Sequence, residues 1–348
     1  LSNWTELDIW LYIKEQNIEI VPLYFAKKRK IINRDNIKIM IDDERIIIKK
    51  DEQSNNESIR FRTLGCYPLT SAVNSQASNL DDVIKELINK GHSVTSLDDY
   101  SAGLKSNEVE GAKYFNLDIE SIDKLNGDFD ICIHLAAKSR VQPSFKNPTE
   151  YFRVNVQGTM RIMEWAMKKN VKVIYAGSSS KHHDPSDSPY AMYKYLGEEV
   201  CKLYRNSYSL NVEIARFYNV YGPNESLDEE HGNVIGIWRS KVKKGLPLPI
   251  VGDGNQRRDF THVFDIVDGL IKISFSNKKH KDAWELGTGL NYSVNELFKM
   301  FNDKFQCERT HIPDQKGNYK LTLRENDDLI DELGWLPKDR LKQHIDSI

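Results

Sequence analysis

Residues 78–99 read SNLDDVIKELINKGHSVTSLDD. Leu80, Val83, Ile84, Leu87 and Ile88 recur at i, i+3, i+4, i+7 and i+8, one face of an α-helix. Ser78 with Asp81 suits its start and Gly91 its end. The following SVTSL is apolar and β-branched, and it ends in the acidic pair Asp98-Asp99. Helix, strand and terminal carboxylate together form the second half of a βαβ unit of the dinucleotide-binding kind. The first half requires a buried strand and a glycine-rich turn whose N–H groups meet a pyrophosphate. Between Gly65 and Gly91 the chain has no glycine.

Outward from this stretch the chain changes style near residue 85. Beyond it apolar strands alternate with amphipathic helices, the pattern of an α/β fold with a parallel sheet. Strands are expected at 93–97, 112–117, 130–137, 171–178, 212–220 and 282–289, and helices at NPTEYFRVNVQGTMRIMEWAMKK, SPYAMYKYLGEEVCKLYRNSYS and NVIGIWRSKVKKG. Before residue 78 the chain mixes an amphipathic helix (WTELDIWLYIKEQ), a basic cluster KKRK (27–30) and two expected strands, IKIMI and RIIIKK, separated by Asp42-Asp43-Glu44.

The 348 residues suffice for one large domain or two ordinary ones. A net charge of −2, with 39% hydrophobic and 29% charged residues, offers no basic surface for nucleic acid, and no apolar run nears the length of a membrane span. LSNWTELDIWLYI lacks a signal-peptide cleavage pattern, and its opening Leu suggests a fragment or a processed start. Cys66, Cys132, Cys201 and Cys307 form no CxxC pair, and His182-His183 lack a third ligand at a recognisable spacing. Free thiols in a cytoplasmic protein without a metal site are therefore expected.

The chemistry concentrates in VKVIYAGSSS (171–180) followed by SPYAMYKYLGEE (188–199). Tyr190 and Lys194, four apart at the start of a helix, share a face. A phenol is a poor base at neutral pH, and a nearby ammonium brings it toward useful range. Ser178, or Ser179 beside it, would hold a substrate alcohol next to that phenol. A second Y-x-x-x-K match, Tyr24 and Lys28, lacks the strand and serine cluster and reads as chance.

Residues from about 86 onward resemble the extended short-chain dehydrogenase/reductase family, the NAD-dependent nucleotide-sugar epimerases and dehydratases. The matching segments are HLAAKSRVQPSFKNPTEYFRVNVQGT (134–159), ARFYNVYGP (215–223), GDGNQRRDFTHVFD (252–265), WELGTGLNYSVNEL and LGWLP. The resemblance implies a Rossmann-like doubly wound parallel sheet lacking its first strand, with a small C-terminal substrate lobe mainly at 220–250 and 290–348. It implies Tyr190, Lys194 and Ser178 as the reacting groups. NAD would be held by Asp98, Asp99, Asp118, Ile119, Ala136, Ala137, Asn155, Tyr190 and Lys194, and the nucleotide sugar by Ser179, Asn219 and Arg258. A carboxylate at Asp98 favours NAD over NADP. Dehydratases of the family carry an Asp-Glu pair just after the serine or threonine; here Lys181-His182-His183 follows, which disfavours loss of water. Members of the family pair through two helices that this chain retains, which implies a homodimer. The glycine-rich turn that opens the family's fold is replaced by RFRTLGCYPLTSAVNSQASN, and weak or no NAD binding is expected.

Residues 1–85 resemble the C-terminal half of the small subunit of sulfate adenylyltransferase, through SNWTELDIWLYIKEQNIEIVPLYFA, RDNIKIMIDDERI and RFRTLGCYPLTSAV. The resemblance implies an α+β fragment without the ATP-binding loop of that enzyme, so that sulfate activation by this chain alone is not expected. Arg60, Arg62 and KKRK suit either an anion or, the expected reading, a solvated basic surface. The two resemblances meet near residues 80–88, which makes the chain a chimera with domains 1–85 and 86–348. Deletion of a central strand leaves two outcomes: IRFRTLGCY fills the slot, or the sheet splits.

Overall fold

A computed structural model of the chain describes residues 93–348 except 110 and 230, together with residues 14, 25–34, 37–41, 46, 48, 49, 52–61 and 72–74. The chain divides into two compact units, 1–94 and 95–348. The helix expected over 78–91 and the phenol of Tyr24 lie outside the described residues.

In the first unit β1 (Lys27–Arg34), β2 (Ile37–Met40), β3 (Asn55–Phe61) and β4 (Ala72–Asn74) form an antiparallel sheet in the order β2-β1-β3-β4. Ile31, Ile32 and Ile59 are fully buried. Two expectations fail here. The strand expected at RIIIKK is not seen at its described residues, since Ile46, Ile48 and Lys49 lie in no strand, while β2 pairs with β1, Arg34 opposite Ile37. Only two residues separate β1 from β2 in the sequence, and ends so close in the chain meet at the lower entropic cost. Arg60 is not on a solvated surface but fully buried, on a strand hydrogen-bonded on both sides.

The second unit carries the α/β pattern. Strands β5 (Thr95–Asp98) and β6 (Lys113–Asn116) pair in parallel, and β7 (Ile131–His134), β8 (Lys172–Ser178) and β9 (Val212–Phe217) belong to a parallel sheet. Helices α1 (Val141–Lys146), α2 (Pro148–Phe152), α3 (Gly158–Lys169) and α4 (Pro189–Tyr208) follow β7 and β8. The helical run before α3 contains a π-type turn, Arg153–Gln157. Further on come β10 (Asn219–Tyr221), α5 (Val234–Lys243), β11 (Leu248–Val251), β12 (Arg257–His262) and α6 (Val263–Phe275). The chain closes with β13 (Trp284–Leu286), β14 (Asn291–Ser293), α7 (Val294–Phe305), β15 (Arg309–Ile312), α8 (Asp328–Leu333) and α9 (Leu341–Ser347).

The main sheet has the order β13-β9-β8-β7, all parallel. Its central strand KVIYAGS is buried almost throughout, as a strand covered on both faces requires. One face packs Met163 and Trp165 of α3 and Cys201 and Tyr204 of α4 against Val173, Tyr175, Val212 and Ile214. The other packs Ile266, Leu270 and Ile273 of α6 with Ile174, Ala215, Trp284 and Trp335. The sheet is therefore doubly wound.

It is also divided. Among the described residues β5 pairs only with β6, and the outer edge of β7 pairs with no strand. Ile133 in β7 is 42% exposed where a central parallel strand would be covered. Ile59, Arg60 and Phe61, the described part of IRFRTLGCY, pair with β4. The rest of that segment, 62–67, lies outside the described residues.

The single strand expected over 212–220 breaks at Tyr218, and its second piece, β10, joins β12 and β14 in a separate sheet. With the parallel pair β11 and β15, these strands pack with α5, α7 and α9 around Trp238, Leu248, Leu297 and Phe301.

Candidate functional site

Strand β8 delivers Ser178 at its carboxyl end, where parallel sheets present their ligands. Ser178 Oγ then accepts hydrogen bonds from Ser180 N (3.2 Å) and Ser180 Oγ (2.9 Å), which fix the turn that follows. Helix α4 opens where Ser188 Oγ accepts from Ala191 N (3.1 Å), with Pro189 at its first position. That start aims Tyr190 at the serine: its Oη donates to Ser178 Oγ at 3.3 Å, and its backbone N–H donates to Ser144 Oγ at 3.2 Å.

One turn on, Lys194 is 5% exposed; its Nζ donates to the Ala176 carbonyl at 2.5 Å and lies 4.6 Å from the centre of the Tyr175 ring. Burial lowers its pKa to about 8, against the opposing pull of Glu198. Burial pushes the Tyr190 phenol up, and the Ser178 hydroxyl draws it back.

These groups share a cavity of about 840 Å³ whose walls include Ala137, Ser178, Ser179, Tyr190, Lys194, Asn219 and Arg258. Asn219 Nδ2 donates to the Asp259 carbonyl and to Thr322 Oγ1, both at 3.0 Å, which ties β10 to β12. Arg258 donates to the Arg257 carbonyl (2.9 Å) and to Asn318 Oδ1 (2.6 Å), both neutral acceptors. Burial lowers its pKa to about 10.

The remaining expected residues gather away from that cavity, at the ends of β5 to β7. Asp98 and Asp99 accept hydrogen bonds from Tyr100 N (2.7 Å) and Ser101 N (2.8 Å). Lys138 Nζ reaches Ser101 Oγ at 2.9 Å, and its backbone is clamped by Asn155, which accepts from Lys138 N (2.7 Å) and donates to Lys138 O (2.9 Å). Asp118 caps a 3-10 turn and accepts two bonds from Arg153 (3.0 and 2.9 Å), which hold its carboxyl below its ordinary range. Ile119 is buried beside Gly158, and Ala136 is exposed in the loop after β7.

Behind the serine lies a charged network that the sequence did not announce. Arg216, 3% exposed, reaches Glu198 (2.8 Å), Asp282 (2.8 Å) and Glu285 (3.0 Å). His182 Nε2 meets Glu285 at 3.0 Å and its Nδ1 meets Glu325 at 3.2 Å. His183 stacks on Tyr319, a cavity residue, with ring centres 3.9 Å apart and planes 7° from parallel. The histidine pair is thus spent on a carboxylate and a ring; among the described residues no group of three His, Cys, Asp or Glu side chains is arranged to hold a metal. Cys132, Cys201 and Cys307 are free thiols, and no described helix is long and apolar enough to cross a membrane.

The residues present fit a nicotinamide dinucleotide at its two ends. Among the described residues Lys194 makes one hydrogen bond, which leaves donors of its ammonium for a hydroxyl-rich ligand. Asp98 and Asp99 stand at the end of β5 where a ribose would lie. The glycine-rich turn between those ends is not in the sequence.

A doubly wound parallel sheet of this kind, with a serine at a strand's carboxyl end and a tyrosine and lysine on the helix that follows, is a Rossmann fold. The chain belongs to the NAD dependent epimerase/dehydratase family, whose model matches residues 81–287. It is 33% identical over 288 residues to a Methanocaldococcus jannaschii protein provisionally named UDP-glucose 4-epimerase, an alignment covering 76% of this chain and 92% of that protein. Among solved structures it resembles the UDP-glucose 4-epimerase of Thermotoga maritima determined with UDP-glucose, at a TM-score of 0.68 and 26% identity over 76% of this chain and 92% of that one.

The phosphoadenosine phosphosulfate reductase domain matches residues 1–72. Sulfate adenylyltransferase subunit 2 of Brucella ovis is 57% identical over 88 residues, 25% of this chain; the chain spans only 29% of that relative's length. The polypeptide thus joins parts of two families. It is an enzyme of the epimerase/dehydratase family with a sulfate adenylyltransferase-like segment before it.

Proposed function

We propose that residues 86–348 act as a nucleotide-sugar epimerase, with residues 220–250 and 290–348 as the substrate lobe. The observation that carries this reading is the 3.3 Å contact between Tyr190 Oη and Ser178 Oγ, in one cavity with Lys194, Asn219 and Arg258. Ser178 holds the sugar hydroxyl beside the phenol, and Tyr190 takes its proton as the carbon is oxidised. NAD, when bound, supplies the acceptor for the hydride leaving that carbon and later returns it. Lys194 stabilises the phenolate while it carries its own proton, which sets an upper pH limit near its lowered value of about 8.

Arg258 binds the diphosphate, and Asn219 orients the sugar end beside it. Asn155 and Lys138 keep the loop after β7 in place, so that Ala136 and Ala137 flank the cofactor. Asp98 and Asp99 accept from the adenosine ribose, and Asp118 with Ile119 borders the adenine. The missing glycine turn weakens the hold on the cofactor without touching the reacting groups.

Tyr190→Phe tests the reading. With saturating NAD and UDP-glucose, the variant should lose about 10²–10⁴-fold in turnover and keep its melting temperature. Undiminished epimerisation by the variant would refute the role of Tyr190.

A further inference from the structure

A second guanidinium lines the cavity, one that no sequence motif singles out. Arg140 lies in the loop between β7 and α1, with φ 83° and ψ 134°. Glycine enters that region freely, whereas a residue with a Cβ enters it at a cost, and such strain persists only where the surroundings hold it. Its guanidinium is largely buried and donates to the Gly232 carbonyl just before α5. Burial lowers its pKa, while Tyr151 and Asp228 pull the other way.

The charges around it do not balance. Among the described residues Glu225 is the one carboxylate on the cavity wall, and it is already taken by Arg239 at 2.8 Å, with His344 at 3.7 Å. Arg140 and Arg258 are hydrogen-bonded to uncharged acceptors, and no described carboxylate stands within ion-pair distance of either. Two half-buried guanidiniums with no described carboxylate in ion-pair contact are costly unless a ligand brings the negative charge. Lys194 is not available for this, because its charge is matched by the phenolate that Tyr190 becomes.

We infer that Arg140 is a second anion-binding arginine of the site, which with Arg258 grips the two charged phosphoryl groups of a nucleoside diphosphate. Two planar five-donor groups match two phosphoryl groups in charge and in hydrogen-bonding geometry. The backbone strain at residue 140 is then the cost of placing an arginine where glycine would sit without effort. The inference deepens the nucleotide-sugar reading and takes the nucleoside from it; the anion chemistry rests on Arg140 and Arg258 alone.

The test uses the full chain and inorganic pyrophosphate as probe, followed by calorimetry and by the shift in melting temperature. Arg140→Gly and Arg258→Gln should each weaken pyrophosphate binding at least tenfold. Arg140→Gly should melt no earlier than the wild type without ligand, because the substitution relieves the backbone. Arg140→Lys, which keeps a charge but loses the planar fork, should fall between. If Arg140→Gly does not fold, Arg140→Gln reports the same loss.

Wild-type affinity for pyrophosphate in a folded Arg140→Gly or Arg140→Gln variant, or no binding of pyrophosphate by the wild type, would overturn the inference. Pyrophosphate binding that depends on Arg140 in a chain that ignores UDP-glucose would instead refute the nucleotide-sugar reading and leave the anion site standing.

Discussion

At the residue scale, His182 shows how the turn after the serines is anchored. Burial alone would push its imidazolium down, but the hydrogen bond to Glu285 and the charges of Glu285 and Glu325 outweigh it, so its pKa is raised. A raised folded pKa means that the protonated form is the one the fold favours. The stabilisation is fully present below the unfolded histidine value near 6.5 and is lost as pH rises through the folded value. Wild type should therefore exceed His182→Gln in stability most clearly below the ordinary histidine value of about 6.5, and the difference should shrink as pH rises past the raised folded value. Denaturant melts of both proteins across that range check it; a difference that grows with pH would contradict the assignment. Of the carboxyls in the network, Asp282 is held down to about 2 and Glu285 is also held below its ordinary value, so neither confuses this window.

Residues of this kind also mark the limit of reading the sequence. That Tyr190, Lys194 and Ser178 come together was legible because a serine-ended strand, a helix cap and an i, i+4 spacing act locally. Arg140 and His182 were not, since their meaning depends on Gly232 and Glu285, far away in the chain.

At the scale of elements, α4 succeeds because it can approach β8 closely. A Cβ placed on Gly197 would lie 2.2 Å from Tyr175 Oη and 3.2 Å from the Asn155 carbonyl. Tyr175 is a fully enclosed side chain at the centre of β8 and cannot swing away, so Gly197→Ala must shift the helix that carries Tyr190 and Lys194. We expect about 1–3 kcal/mol of destabilisation and a loss of epimerisation larger than the stability change explains. Urea unfolding alongside turnover at saturating substrate separates the two; full activity in a destabilised variant would show that the helix position is not critical.

The elements themselves were largely legible where hydrophobic period and caps agree, as in α3, α4 and β8. They were misread where the competing partner was remote. The pairing of β1 with β2 and β3 depends on which strands meet, which a single run such as RIIIKK does not encode. The break of 212–220 at Tyr218 likewise follows from Asn219 being drawn to Asp259 and Thr322, contacts made 40 and 103 residues away.

At the scale of the whole molecule, the site and the cofactor frame have different fates. The proposed reacting groups sit on β8 and α4, which the sheet β13-β9-β8-β7 and the helices on both its faces hold in place. The adenosine-side groups sit on β5 and on the loops after β6 and β7, across the division of the sheet. A dinucleotide has to span that division, and the backbone N–H groups that would meet its pyrophosphate in the middle belong to a turn the sequence lacks.

Loss of several charge-assisted hydrogen bonds of about 1.5–3 kcal/mol each lowers affinity by several orders of magnitude. The chain should therefore be purified with far less than one NAD per polypeptide. Absorbance of the supernatant after denaturation measures this directly, and stoichiometric NAD there would sink the prediction. Added NAD at millimolar concentration should restore part of the epimerisation if the cofactor frame is merely weakened. If β7 has lost its alignment with β5, no concentration of NAD will restore turnover, although Tyr190 and Ser178 stay in contact.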